Sequence, residues 1–280
     1  MKKTILTFLL ITFFLIGLSL MLYPTVSNWW NSMHASRAIV DYEAARKNLT
    51  EDDYSALFER AKEYNRQIAR IDFPLMYHER VAGYEQMLDV DGSGIMGYIT
   101  IEKIQVRLPI YHGTSEGILQ KGVGHLPGSS LPIGGAGNHS VLSAHRGLPS
   151  AKLFTDLDQM RVGDRFTLTV LDRELTYAVD QILTVEPQEV DALYPVAGED
   201  YCTLVTCTPY GVNSHRLLVR GHRIDNIEEA NTVRVTADAI QIEPLIVAPI
   251  VAIPISLLLL FSLLPKQSKK KHGGDTDEKI

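Results

Sequence analysis

Cysteine is scarce: Cys202 and Cys207 are the only two in 280 residues. That excludes a disulfide-built scaffold. Nor do the two pair with each other, because they lie five apart in one β-like run, "YCTLVTC". Odd spacing sends them to opposite faces, and a rise of about 3.3 Å per residue puts their Cα atoms roughly 16 Å apart, against a limit of about 7 Å for a bridge. Positive charge is also in short supply, with 27 Lys+Arg against 33 Asp+Glu. Several of those lysines sit in the terminal segments, so the middle of the chain is more acidic still, and nucleic acid is excluded as a partner. Two glycine-bearing stretches each lack the residue that their motif requires. "DVDGSG" sets Asp89, Asp91, Ser93 and Gly94 at calcium-loop places but has Thr100 where a bidentate Glu belongs, so it is read as a turn. "GGAGNHS" (134–140) has no Lys-Ser/Thr after its glycines and is read as a flexible loop rather than a phosphate cradle. No internal repeat occurs, and the one low-complexity tract is the polar tail after Pro265.

What is present includes two uncharged runs, Ile5 to Leu22 and Leu245 to Leu264, each near the roughly 20 residues that a helix needs to cross hydrocarbon. Lys2 and Lys3 flank the first, and Lys266, Lys269, Lys270 and Lys271 flank the second. Cationic flanks stay cytoplasmic, so both termini are expected inside, with residues 23–244 outside. No small-x-small site follows "LSLMLYPTV", so the first run is read as a retained span rather than a cleaved signal. No LPxTG-like motif precedes the second, where the approach is "DAIQIEP", so it is read as a span rather than a wall-sorting tail.

Between the spans the periodicity changes once. From His34 to Arg70 it is helical, with Tyr54, Leu57, Phe58, Ala61, Tyr64 and Ile68 forming one apolar stripe and Thr50 placed as an N-cap before acidic residues. "SRAIVDYEAARKN" is expected to be a separate short helix ending at Asn48. After "DVDGSG" come short β-like runs at 97–101, 104–111, 140–144, 165–171, 174–185, 201–207 and 216–222, separated by Gly, Pro, Asn and Asp clusters. Seven or eight such strands suit a closed or nearly closed barrel, a mostly β fold with short helices. The expected plan is an N-terminal span (1–22), a helical extension (23–94), a catalytic barrel (95–225), a linker (226–244), a second span (245–264) and a cytoplasmic tail (265–280).

Cys207 ends a strand just before the turn "TPYG", where a thiol is both rigid and reachable, whereas Cys202 reads as a small buried hydrophobe. A nucleophilic thiol needs a base or cation nearby, because the thiolate is the reactive form. Of nine histidines, His145 stands out, since "SVLSAHRG" again ends a β run at a glycine turn. If 201–207 and 216–222 are antiparallel neighbours joined by "TPYGVNSH", Arg216 lies beside Cys207 and can donate to an oxyanion on an attacked carbonyl. The unadorned alternatives are a core histidine and a surface salt bridge.

"TLVTC" followed nine residues later by arginine, with "SAHRG" some sixty residues upstream and "GHLPGSSLPIGG" before that, closely resembles the sortases, the membrane-anchored cysteine transpeptidases of Gram-positive bacteria. The resemblance covers roughly residues 95–225. The C-terminal span and helical extension look like class C, the pilin polymerases. It implies a β-barrel of about eight strands with Cys207 as nucleophile, His145 as acid/base and Arg216 as substrate-orienting arginine, acting on the Thr–Gly bond of an LPxTG-like signal through a thioester that a pilin lysine resolves. Pilin subunits and the bilayer are the implied partners, and no metal or cofactor is implied. Class C enzymes carry an Asp-Pro-aromatic lid; at the matching place this chain has Asp72-Phe73-Pro74, in permuted order. Asp72 is expected to pair with Arg216 and Phe73 to shield Cys207, although "DFPL" is also what a helix end before proline looks like. A housekeeping sortase that anchors proteins to peptidoglycan is the nearest rival, and a non-enzymatic tethered β-domain a more distant one. A papain-type protease is disfavoured, because there the cysteine precedes the histidine.

Overall fold

The computed structural model describes residues 2–226, which fall into two units, residues 2–25 and a larger body that begins at Val26. The first unit is the N-terminal part of helix α1 (Lys2–Arg46). Its apolar stretch is long enough to cross a bilayer and is not buried in the protein. The second expected span (245–264), the tail (265–280) and nearly all of the 226–244 linker lie outside the described residues.

α1 corrects one expectation. The segment read as a separate short helix is continuous with it through Arg46. Pro24 removes one N–H donor, but residues 25–46 contain neither glycine nor another proline to stop the helix. Ala35, Ile39 and Tyr42 are buried at helical spacing. The Tyr42 hydroxyl donates to Met96 O (3.1 Å) and accepts from Leu171 N (2.8 Å), tying α1 to one strand of the barrel and to a turn between two others.

Helix α2 (Glu51–Ile68) begins with the expected cap, where Thr50 Oγ1 accepts from Asp53 N (3.2 Å) and Asp53 Oδ2 accepts from Thr50 N (2.9 Å). The apolar stripe buries Phe58, Ala61, Tyr64 and Ile68. Asn65 Oδ1 accepts from Leu131 N at 2.7 Å, fastening α2 to the loop before β4.

The barrel comprises β1 (Ile95–Ile101), β2 (Val106–His112), β3 (Val123–His125), β4 (Asn138–Ser143), β5 (Arg165–Val170), β6 (Arg173–Val185), β7 (Asp200–Thr208) and β8 (His215–Arg223). It closes in the order β1-β2-β3-β4-β7-β8-β6-β5. Most pairs are antiparallel, but β2–β3 and β4–β7 are parallel. β3 escaped the sequence pattern because three residues, "VGH", cannot show an alternation. The run expected from 104 starts at Val106, since Glu102–Ile104 form a 3-10 turn and Gln105 has φ 52°. Inside lie Met96, Ile99, Ile110, Leu142, Phe166, Tyr177, Cys202, Leu204 and Val219, all close to fully buried. Each large side chain there contributes about 1.5–3 kcal/mol. "DVDGSG" is a turn, in which Asp89 accepts from Gly92 N (2.9 Å) and Gly94 N (3.3 Å).

Candidate active site

Strand alternation decides which side chains reach the site. On β7, Cys202, Leu204 and Thr206 are buried, while Val205 and Cys207 turn outward and are partly exposed. Burial pushes the Cys202 thiol well up, so it stays protonated in the core. Both thiols are free. Cys207 pairs with Arg216 across the antiparallel β7–β8 ladder. Opposite residues on one face of such a pair have Cβ atoms about 5 Å apart.

His145 arrives from the other side. β4 runs parallel to β7 with Asn138 opposite Asp200 and Ser143 opposite Val205. Two contacts carry that register past the strand end: Ala144 N donates to Val205 O (3.1 Å), and Thr206 Oγ1 donates to Ala144 O (2.8 Å). Continuing it by two residues sets His145 at the level of Cys207. The thiol, the imidazole and the guanidinium thus come from three adjacent strands at one end of the barrel.

Two neighbours that sequence reasoning missed hold this end in place. Arg146, only 9 % exposed in its side chain, donates from Nη1 to Thr208 Oγ1 (3.2 Å) and pairs with Asp158, linking the residue after His145 to the residue after Cys207. Glu116, on the single-turn helix α4 (Glu116–Leu119), lies 3.2 and 3.3 Å from His145 Nε2 through its two carboxylate oxygens. The Arg was visible inside "SAHRG"; no spacing signal connects Glu116 to a histidine 29 residues on. Gly147 is required where it stands, since at φ +74° an added Cβ would sit 2.9 Å from the Tyr210 ring.

The floor beside the site is apolar. Val141, Leu193 and Leu218 form a cluster on the outward face, with Val205, Leu126 and Leu75 packed against it. Leu75 belongs to the segment in which a lid was expected, and the detail differs from that expectation. Arg216 Nη1 donates to the carbonyls of Asn213 and His215, both at 3.2 Å, and no pair with Asp72 is formed. Phe73 is 64 % exposed. Pro74 opens helix α3 (Pro74–Tyr77), and Phe73 ahead of it sits in the left-handed region at φ 55° with its ring exposed. Leu75 is the side chain that packs inward. The segment lies tight on the β3–β4 connection, where a Cβ at Gly128 would come within 2.3 Å of Pro74 O.

Among the described residues no group of His, Cys, Asp and Glu is arranged to hold a metal ion.

Residues 99–224 match the Sortase domain model. Among sequence relatives, a sortase A of Streptococcus agalactiae is 32 % identical over 117 residues, 41 % of this chain and 47 % of that protein. A sortase A of Listeria monocytogenes is 25 % identical over 208 residues, covering 74 % of this chain and 84 % of that protein. The chain spans about half the length of the first relative and 61 % of a Bacillus anthracis sortase A. Among solved structures, sortase C1 of Streptococcus agalactiae is 52 % identical with a TM-score of 0.62, covering 68 % of this chain and 99 % of that one. Sortase C-1 of Streptococcus pneumoniae is 42 % identical with a TM-score of 0.63, covering 68 % and 100 %. Identity of this order, sustained across essentially the whole of a solved sortase, means that the chain belongs to the sortase family.

Proposed function

We propose that this chain is a cysteine transpeptidase that cleaves an LPxTG-like sorting signal between Thr and Gly and passes the acyl group to a lysine amine of a pilin subunit, polymerising pilins. The observation that carries it is the register of Cys207 opposite Arg216, with His145 brought to the same level by β4. The Cys207 thiolate attacks the threonine carbonyl. Arg216 donates to the oxyanion as charge grows on it. His145 protonates the departing glycine amine, leaving a thioester on Cys207. The lysine amine then attacks that thioester, loses its proton to His145, and an isopeptide bond replaces the Sγ–C bond. The outward apolar cluster of Val141, Leu193, Leu218 and Val205 supplies a floor suited to the Leu-Pro part of the signal.

Pilin polymerisation is favoured over wall anchoring because the solved structures of highest identity given above are sortases C1. The helix α1 tethers the enzyme to a membrane, and with Leu245–Leu264 as a second span both termini are cytoplasmic and the barrel faces outward. The segment Asp72-Phe73-Pro74 with Leu75 acts as a gate over the groove, with Leu75 as its apolar latch.

The test is to incubate the enzyme with an LPxTG-type peptide and read the adduct mass. A thioester adduct that vanishes in Cys207→Ala is expected; no adduct on the wild-type protein overturns the transpeptidase reading. Offering a pilin lysine peptide and a peptidoglycan-type amine in competition then decides the acceptor, and exclusive use of the latter overturns the pilin assignment.

A further inference from the structure

We propose that Glu116 is a positioning residue of this reaction: its carboxylate grips Nε2 of His145, fixes the ring, and leaves Nδ1 as the nitrogen that gives and takes the proton. The role presupposes Cys207 as nucleophile and His145 as acid/base.

The geometry is specific. Both Glu116 oxygens lie within 3.3 Å of Nε2, so the ring N–H is shared between them rather than pointed at solvent. The carboxylate is itself held, since Gln120 Nε2 donates to Oε1 at 2.9 Å one helical turn on. That amide, and then the His145 ring, keep the Glu116 carboxyl below the usual carboxylate range. α4 is a fixed platform: Ile118 packs against the cluster of Ile39, Tyr98 and Tyr111, and a Cβ at Gly124 on β3 would meet Leu119 Cδ2 at 3.1 Å. The other charged groups near the ring are committed or serve the reaction. Arg146 pairs with Asp158, Arg216 lies across the ladder from Cys207, and among the described residues no second carboxylate comes within 4.0 Å of His145.

The chemistry asks for this arrangement. An imidazole must carry a proton when the C–N bond breaks and be free of it when the lysine amine attacks. With Nε2–H committed to Glu116, both transfers run through Nδ1 on a ring that does not turn over between them. In acylation the Sγ–C bond forms, the C–N bond breaks and the Nδ1 proton goes to the leaving amine. In transfer the new C–N bond forms, the Sγ–C bond breaks and the amine proton returns to Nδ1. Glu116 stays ionised throughout and exchanges no proton.

The test uses the full chain in detergent or nanodiscs, with iodoacetamide alkylation of Cys207 followed across pH. Alkylation needs no sorting signal, so a failure of the transpeptidase reading and a failure of this one are distinguishable. In Glu116→Gln, which keeps shape and removes charge, alkylation is expected to slow several-fold at each pH, and kcat with the sorting peptide to fall by about tenfold with KM within about twofold. Glu116→Ala is expected to do the same more strongly and, with ¹⁵N-labelled histidine, to lose the fixed Nε2–H signature of His145. Unchanged alkylation profiles and an unchanged His145 tautomer in both folded variants overturn the proposal.

Discussion

Asn31 on α1 donates a hydrogen bond of 2.7 Å to the carbonyl of Ser150, five residues beyond His145. One turn earlier, Asn28 Oδ1 accepts from Lys152 N at 2.8 Å. Helix α1 therefore holds the loop that follows His145. Replacing both asparagines with alanine removes two part-buried hydrogen bonds worth about 1 kcal/mol each. Amide exchange across residues 147–152 is expected to accelerate while the β1–β2 amides keep their protection. Equal exchange in the loop of both proteins would separate α1 from the site.

Arg216 lies directly across the ladder from Cys207, and in the proposed reaction its planar fork donates to the attacked carbonyl from a set direction. Removing such an oxyanion donor costs about 10²–10³ in kcat. Arg216→Ala is expected to show that loss, and Arg216→Lys to recover only part of it, because a point charge does not reproduce the fork. The check is kcat and KM for the sorting peptide. Full activity in the lysine variant would reduce the requirement to charge alone.

Leu75 packs into the outward apolar cluster, whereas Asp72 makes no pair with Arg216. In the proposed gate the segment is therefore held by Leu75 and by the close seat of Pro74 against Gly128. Leu75→Ala, and Gly128→Ala, whose new Cβ must displace the Pro74 carbonyl, are each expected to speed alkylation of Cys207 several-fold, while Asp72→Ala leaves it near the parent rate. If neither Leu75→Ala nor Gly128→Ala changes the rate, the segment is a fixed wall.

His125 is fully buried, and burial pushes its imidazole down to about 4; its Nδ1 meets the Tyr84 hydroxyl at 2.9 Å and its Nε2 meets Ser130 O at 2.9 Å. Burial also lowers His139, which bonds Thr203 and Tyr194. In the unfolded chain a histidine titrates near 6.5. Between pH 6.5 and 4 the unfolded state thus binds a proton at His125 that the folded state refuses, so this stability is complete above 6.5 and drains away as pH falls, by at most about 3 kcal/mol at pH 4. Urea midpoints are expected to drop from pH 7.5 to pH 5.0. His125→Gln is expected to be weaker at neutral pH but less sensitive to acid. Identical midpoints for the parent at the two pH values would contradict the account.

The juxtaposition of Cys207 and Arg216 was legible because strands obey a period of two: once "YCTLVTC" and "RLLVRGHR" are read as neighbours, the outward set follows. The α2 cap and stripe were legible for the same reason at a period of 3.6. Glu116 was not, since its meeting with His145 depends on a parallel β2–β3 pairing that a three-residue strand cannot announce. Leu75 was hidden differently: at a left-handed Phe73 one side chain lies out and the next but one in, and no composition rule marks that position. The unbroken α1 was obscured by Pro24, which looks like a boundary and is an interior residue.

The Tyr42 hydroxyl joins α1 to backbone groups at Met96 and Leu171, at the seam of β1 and β5. Around the closed ring that seam is four strands from β7 one way and three the other. A pull along α1 meets the Asn28 and Asn31 contacts to the 150–152 loop first and reaches this far seam only after they give way. The remaining load is then shared among the intervening ladders before it reaches Cys207, so the strand that carries this thiol is loaded last.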